Sequence, residues 1–158
     1  MKIRNPTHWI IPVGLALTVA VMLFARVVSQ ARTDVAGYQR VQPLLRAGKT
    51  VVDEQIRYPD SGSPAISSVI VTMLPGEATG WHTHGVPLFA FMLEGEIEVD
   101  YGAKGIRTYK KGDAFLEAMA IRHNGKNKGV IPARVLAVFV GAEGTKNVVH
   151  EKTPPPAR

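Results

Sequence analysis

From Glu96 to Tyr101 the chain reads Glu-Ile-Glu-Val-Asp-Tyr, acidic and non-acidic side chains in strict alternation. A period of two marks a β-strand with one face buried and the other wet. Further apolar runs recur on either side: Thr50–Ile56, Ile66–Leu74, Trp81–His84, Leu88–Leu93, Ile106–Tyr109, Ala114–Leu116, Ile121–His123 and Ala133–Val140. Turn residues separate them, among them Pro59-Asp60-Ser61-Gly62-Ser63-Pro64, Pro75-Gly76 and Glu94-Gly95-Glu96. Short strands at this spacing, with no helices between them, predict an all-β domain over residues 50–145. An antiparallel barrel or sandwich fits that pattern.

The N-terminus follows a different rule. Trp9 to Ala25 is a run of 17 residues without a charged side chain, preceded by Lys2 and Arg4 and closed by Arg26. Nothing on it alternates polar with apolar, so residues 1–26 predict an apolar helix that is a secretory signal sequence or a membrane anchor. Both forms stay open. Ser29-Gln30-Ala31 offers small residues to a signal peptidase, whereas Arg26 and Arg32 crowd that site. Either form carries the domain to the periplasmic side of the cytoplasmic membrane. Residues 27–49 read as a linker or short helix, with Tyr38, Val41, Leu44 and Leu45 as weak apolar anchors. Residues 146–158, ending in Pro154-Pro155-Pro156-Ala157-Arg158, read as a disordered tail. His8 and His150 lie outside the strand set and are expected in solvent.

Composition narrows the partners. With 158 residues there is room for one domain with a real core. The net charge of +6 hints at nucleic acid only until it is divided along the chain. Residues 1–49 hold seven Lys/Arg against Asp34 alone, and the rest hold twelve of each sign. The excess flanks the apolar run, so a membrane is the expected partner and nucleic acid is not. There is no cysteine. That excludes a disulfide framework, a zinc ribbon and a thiolate nucleophile, and leaves His, Asp and Glu as metal ligands.

Two stretches carry the chemistry. In the first, Gly76 precedes His82-Thr83-His84, and Gly95 closes the segment. Two residues apart on a strand, the two imidazoles leave the same face and can chelate one divalent ion. In the second, Gly112 precedes His123, and Asn127 follows. A third imidazole from a neighbouring strand would complete the site. Glu117 shares parity with Phe115, and if that face points inward its carboxylate enters the cavity. There it could be a substitute fourth ligand, an acceptor orienting an imidazole N–H, or a general base. Asn127 is expected to stabilise a turn.

Together these stretches resemble the paired motifs of the cupin superfamily, small jelly-roll β-barrels. Gly76, His82, His84 and Gly95 match the first motif, and Gly112, His123 and Asn127 the second, seven of ten motif positions. The resemblance implies a single jelly-roll barrel holding one divalent transition metal on His82, His84 and His123. The departures are informative: Leu88 stands where the family has a Glu ligand, and Ala118 and Ala120 replace the Pro and Gly before the third histidine. Without the Glu, three neutral imidazoles leave the ion its full charge and extra open positions, which favours an anionic small-molecule ligand. Three-histidine cupins of this kind resemble thiol and β-diketone dioxygenases, which makes Fe the first expectation. Imidazole ligation leaves Mn, Ni, Co, Cu and Zn open as well. The expected function is thus a small-molecule dioxygenase or related oxidoreductase, with Glu117 in a catalytic role. A non-catalytic binding or sensing barrel and a metal-assisted isomerase or lyase are the alternatives. A homodimer is compatible with all three.

Overall fold

The computed structural model describes residues 40–150. The apolar N-terminal segment and the Pro-rich end of the tail lie outside the described residues. Among those described, all regular structure is β apart from one 3-10 turn at Gly102–Lys104. Nine strands follow in chain order: β1 Pro64–Met73, β2 His82–Thr83, β3 Leu88–Glu94, β4 Glu96–Asp100, β5 Ile106–Lys110, β6 Ala114–Leu116, β7 Asn124–Lys126, β8 Ala133–Ala142 and β9 Val149–His150. Every pairing is antiparallel. One sheet has the order β1-β8-β3-β6, a second β5-β4-β7, and β2 pairs with β9.

The core lies between the two larger sheets. Met73, Ala90, Met92, Phe115 and Val135 from the first pack with Ile97, Val99 and Tyr109 from the second. In β4 the alternation works as the sequence predicts, with Ile97 and Val99 buried and Glu96, Glu98 and Asp100 partly exposed. The continuous runs have another cause. In β3, Leu88, Ala90 and Met92 are buried while Phe89, Phe91 and Leu93 are half-buried, and β8 repeats the arrangement. Strands in the middle of a sheet can be apolar on both faces, and then no period of two is visible.

Gly95 is the one-residue link between β3 and β4. Its φ is +67°, and a Cβ there would meet the Pro132 carbonyl oxygen at 2.7 Å. Only glycine satisfies both constraints.

Three expectations need correction. Thr50–Ile56 is not a strand but a tight turn, joined to itself by a single bridge between Lys49 and Gln55. The Thr50 hydroxyl oxygen accepts the N–H groups of Val52 (3.4 Å) and Glu54 (3.1 Å), and Asp53 takes a φ of +69°. Threonine's local side-chain bonds offer the backbone an alternative to a ladder, and here that alternative wins. The strand expected at Ile121–His123 begins one residue after His123, because residues 119–121 arch over the Glu54 carboxylate instead. Finally, the part of residues 146–150 expected in the disordered tail is built into the fold: Val149 and His150 pair with Thr83 and His82.

Candidate metal centre

The centre is assembled by two short backbone ladders. His82 and His123 face each other across an isolated bridge, and each donates its N–H to the other's carbonyl at 3.0 Å. The His84 N–H donates to the Met119 carbonyl, also at 3.0 Å. The second motif is thereby stitched to the first at the positions that carry the imidazoles. Asn127, fully buried, anchors the far end: its amide donates to the carbonyls of Met73 (2.9 Å) and Ile131 (2.8 Å), and its oxygen accepts the Gly129 N–H. This is the turn-stabilising role expected of it.

His82, His84 and His123 are all buried, and one ligand nitrogen of each lies within 4.8 Å of the others. Which nitrogen faces inward follows from the hydrogen bonds. Nδ1 of His82 lies 2.9 Å from the Gly80 carbonyl, Nδ1 of His84 lies 3.0 Å from that of Asn147, and Nδ1 of His123 lies 2.9 Å from that of Ile121. A carbonyl can only accept, so each Nδ1 carries the proton and each Nε2 presents a lone pair. Burial holds the imidazolium forms well down: His82 is lowered to about 4, His84 to about 3, and His123 is lowered too. At neutral pH the rings are uncharged. The Nε2 atoms of His84 and His123 nevertheless stand 3.2 Å apart, two lone pairs with no proton to share.

A cation between them resolves that repulsion. Two nitrogens ~2.1 Å from one ion, at angles between octahedral and tetrahedral, are ~3.0–3.4 Å apart. The donor set fits a divalent transition metal, with backbone carbonyls setting each tautomer as ligating histidines require.

The three rings open onto a cavity of about 330 Å³. Its walls are chiefly apolar, with Leu88, Val99, Phe115, Val135 and Phe139 among them, and among the described residues neither Lys nor Arg lines it. Leu88 is buried against Val86, Ala137 and Phe139 and reaches this wall.

Glu117 also lines the cavity, on the inward parity expected from Phe115, and is only 6% exposed. It is not one of the residues whose ligand atoms cluster. Burial pushes its carboxyl up to about 7, against the opposing pull of the Ala118 N–H (2.7 Å) and the Tyr101 hydroxyl. Tyr101 is held far above the ordinary phenol range by burial, with Glu117 adding to the effect, and its hydroxyl meets that of Tyr109 at 3.1 Å. A carboxyl of this kind can take or release a proton near neutral pH.

Two residues escape sequence reasoning. His150, expected in solvent, is exposed yet lines the cavity mouth, its ring centroid 6.1 Å from that of His82. Glu54, placed by the pattern in a strand, sits beneath the second motif. Neither has a local spacing that announces it.

Residues 69–139 match the family described as "Cupin domain". Similar solved structures include an oxalate decarboxylase of Lactobacillus farciminis bound to formate, at 24% identity and a TM-score of 0.46, over 54% of this chain and 26% of that one. A DMSP lyase from Ruegeria pomeroyi is 23% identical, with a TM-score of 0.48, over 57% of this chain and 44% of that one. A Klebsiella pneumoniae protein with a double-stranded β-helix domain is 22% identical, with a TM-score of 0.47, over 68% of this chain and 100% of that one. The chain thus spans less than half the length of either enzyme. A search of curated protein sequences finds no match.

Proposed function

We propose that this protein is a cupin and a metal-dependent oxidoreductase of the dioxygenase type, acting on a small anionic molecule with an apolar body. The observation that carries the reading is the convergence of three Nε2 lone pairs at an apolar cavity where Leu88 replaces the family's carboxylate ligand. His82, His84 and His123 would hold the ion, with iron first and Mn, Ni, Co, Cu or Zn open. When bound, the ion supplies positive charge, open coordination positions and, if iron, redox capacity. With no Lys or Arg on the walls among the described residues, an anion entering the cavity would find its countercharge at that centre. The volume of about 330 Å³ suits a small ligand. Glu117 would hold or move a proton at the cavity wall.

A second reading rests on Glu117. A buried carboxyl that titrates near neutrality could serve proton abstraction without oxygen, as in a metal-assisted lyase or isomerase. Oxygen consumption separates the two. The iron-loaded protein, offered a panel of small thiols, β-diketones and carboxylates, is expected to take up oxygen in proportion to substrate lost. Equal turnover under anaerobic conditions would instead assign the lyase or isomerase chemistry. Anion binding without turnover of any compound would mark a non-catalytic binding barrel.

We also propose that the N-terminal segment carries the domain across the cytoplasmic membrane. No helix among the described residues is long and apolar enough to cross one, and the run from Trp9 to Ala25 lies outside them. Support comes from the sequence: a short basic region ahead of one apolar run is the form that export machinery reads. The charge bias is weak, since Arg26, Arg32 and Arg40 follow the run. Protease added to intact spheroplasts is expected to digest the barrel. Full protection, with the protein soluble after lysis, would overturn the export proposal.

A further inference from the structure

Where the family places Pro and Gly before its third histidine, this chain has Ala118 and Ala120. Alanine neither fixes φ as proline does nor frees it as glycine does, so the backbone leading into His123 needs restraint from elsewhere. The restraint is Glu54. One of its carboxylate oxygens accepts the Met119 N–H at 2.8 Å, and the other accepts those of Ala120 and Ile121, both at 2.9 Å. The Thr50 hydroxyl donates to the same carboxylate at 3.2 Å. Three consecutive amides on one acceptor form a cradle of aligned dipoles, and bonds of this kind to a carboxylate are stronger than neutral ones.

Carbonyls of the same short arch hold the histidines. The Ile121 carbonyl accepts the Nδ1 proton of His123, and the Met119 carbonyl accepts the His84 N–H. Glu54 is itself fixed. Its N–H donates to the Thr50 hydroxyl oxygen, its carbonyl accepts the Thr50 N–H at 2.8 Å, and the Val51 N–H ties the turn to the carbonyl of Leu116, the last residue of β6. The positive φ of Asp53 closes that turn. The chain of contacts runs from the Glu54 carboxylate to the Ile121 N–H, through that residue's backbone to its carbonyl, and on to the imidazole.

We propose that Glu54 is a positioning residue for the candidate metal centre, setting the orientation and tautomer of His123 through the 119–121 arch. It replaces with three hydrogen bonds what the missing Pro and Gly would supply by backbone restraint. The carbonyl partners of the other two rings, Gly80 and Asn147, lie outside the arch, and His84 meets the arch only through its backbone N–H, so the effect on ring tautomer is specific to His123.

The test uses the metal-free, full-length protein and reads each histidine by side-chain nitrogen NMR. Wild type is expected to show all three rings with the proton on Nδ1. In Glu54→Gln, which keeps the shape but turns one acceptor into a donor, His123 is expected to become a mixture of tautomers while His82 and His84 stay unchanged. Thr50→Val, which removes the hydroxyl that donates to the carboxylate and accepts the Val52 and Glu54 N–H groups but leaves the carboxylate itself in place, is expected to give a smaller change of the same kind. Cobalt(II) titration provides the second readout, with affinity falling about 10- to 100-fold in Glu54→Gln. This arm rests on the metal-binding reading. If wild type fails to bind cobalt, that reading falls while the tautomer result still decides the role of Glu54. Unchanged His123 signals in Glu54→Gln would overturn the proposal. So would equal disturbance of all three rings in both variants, which would make Glu54 a support of the fold alone.

Discussion

Replacing both His82 and His84 with alanine is expected to strip the protein of its transition metal. Wild type should purify with close to one ion per chain, and the double variant with a small fraction of that by elemental analysis. The magnitude follows from ligand number. Four-ligand zinc sites in small domains reach ~10–16 kcal/mol, or ~2.5–4 kcal/mol per ligand, so two lost imidazoles remove ~5–8 kcal/mol. That is on the order of 10⁴-fold or more in affinity. His123 alone would remain, a monodentate ligand at the bottom of an apolar cavity. The fold should survive the change. None of the three rings belongs to the hydrophobic clusters, and the backbone ladder joining residues 82 and 123 needs no imidazole. Removing His84 also relieves its lone-pair conflict with His123, while the Gly80 and Asn147 carbonyls lose their ring donors. A modest change in the melting temperature of the metal-free protein, beside complete loss of metal, is the expected pattern. Unchanged metal content in the folded double variant would sink the site as drawn.

The parts of this molecule that were legible in the sequence are those whose cause is local. Acidic and non-acidic residues alternate from Glu96 to Tyr101 because one face of β4 is wet, and that pattern is visible without knowing what packs on it. His82 and His84 advertise themselves by a spacing that any strand turns into a shared face. Gly112, at a φ of +94°, marks a turn that glycine favours wherever it occurs. The rest depends on partners distant in the chain. Thr50–Ile56 has the composition of a strand, but the Thr50 hydroxyl and Glu54 carboxylate redirect the backbone, and the amides that hold Glu54 lie 65–67 residues away. The same contact delays β7 until Asn124. His150 gives no local sign of its place at the cavity mouth, which comes from a two-residue pairing with β2. The role of Glu117 was left open for the same reason. Its inward parity could be inferred from Phe115, whereas its separation from the three-histidine cluster could not.

Leu88→Glu is expected to have the next largest effect, and its sign reverses with the metal. Leu88 is 6% exposed and packs against Val86, Ala137 and Phe139 while lining the cavity. In the metal-free protein an introduced carboxyl there meets only apolar neighbours and neutral imidazoles. Desolvation raises its pKa above the unfolded value, so the folded state binds more protons than the unfolded one. Relative to wild type, the metal-free variant should therefore lose least stability at low pH and progressively more as pH rises through the unfolded carboxyl range toward neutrality. Metal inverts this. If the carboxylate reaches the ion, a fourth ligand and a negative charge arrive together. Cobalt(II) should then bind at least about 10-fold more tightly, in line with the free energy per ligand in four-coordinate sites. The same change fills a coordination position and cancels part of the ion's charge, so azide, as a probe anion, should bind the loaded variant more weakly than wild type. Visible spectra of the cobalt form would follow both titrations in one sample. Tighter metal binding with undiminished azide affinity would mean that the cavity draws anions by something other than the ion's charge, and the anionic-substrate proposal would fall. If neither affinity moves, the carboxylate does not reach the ion, and the fourth ligand position is not where Leu88 stands.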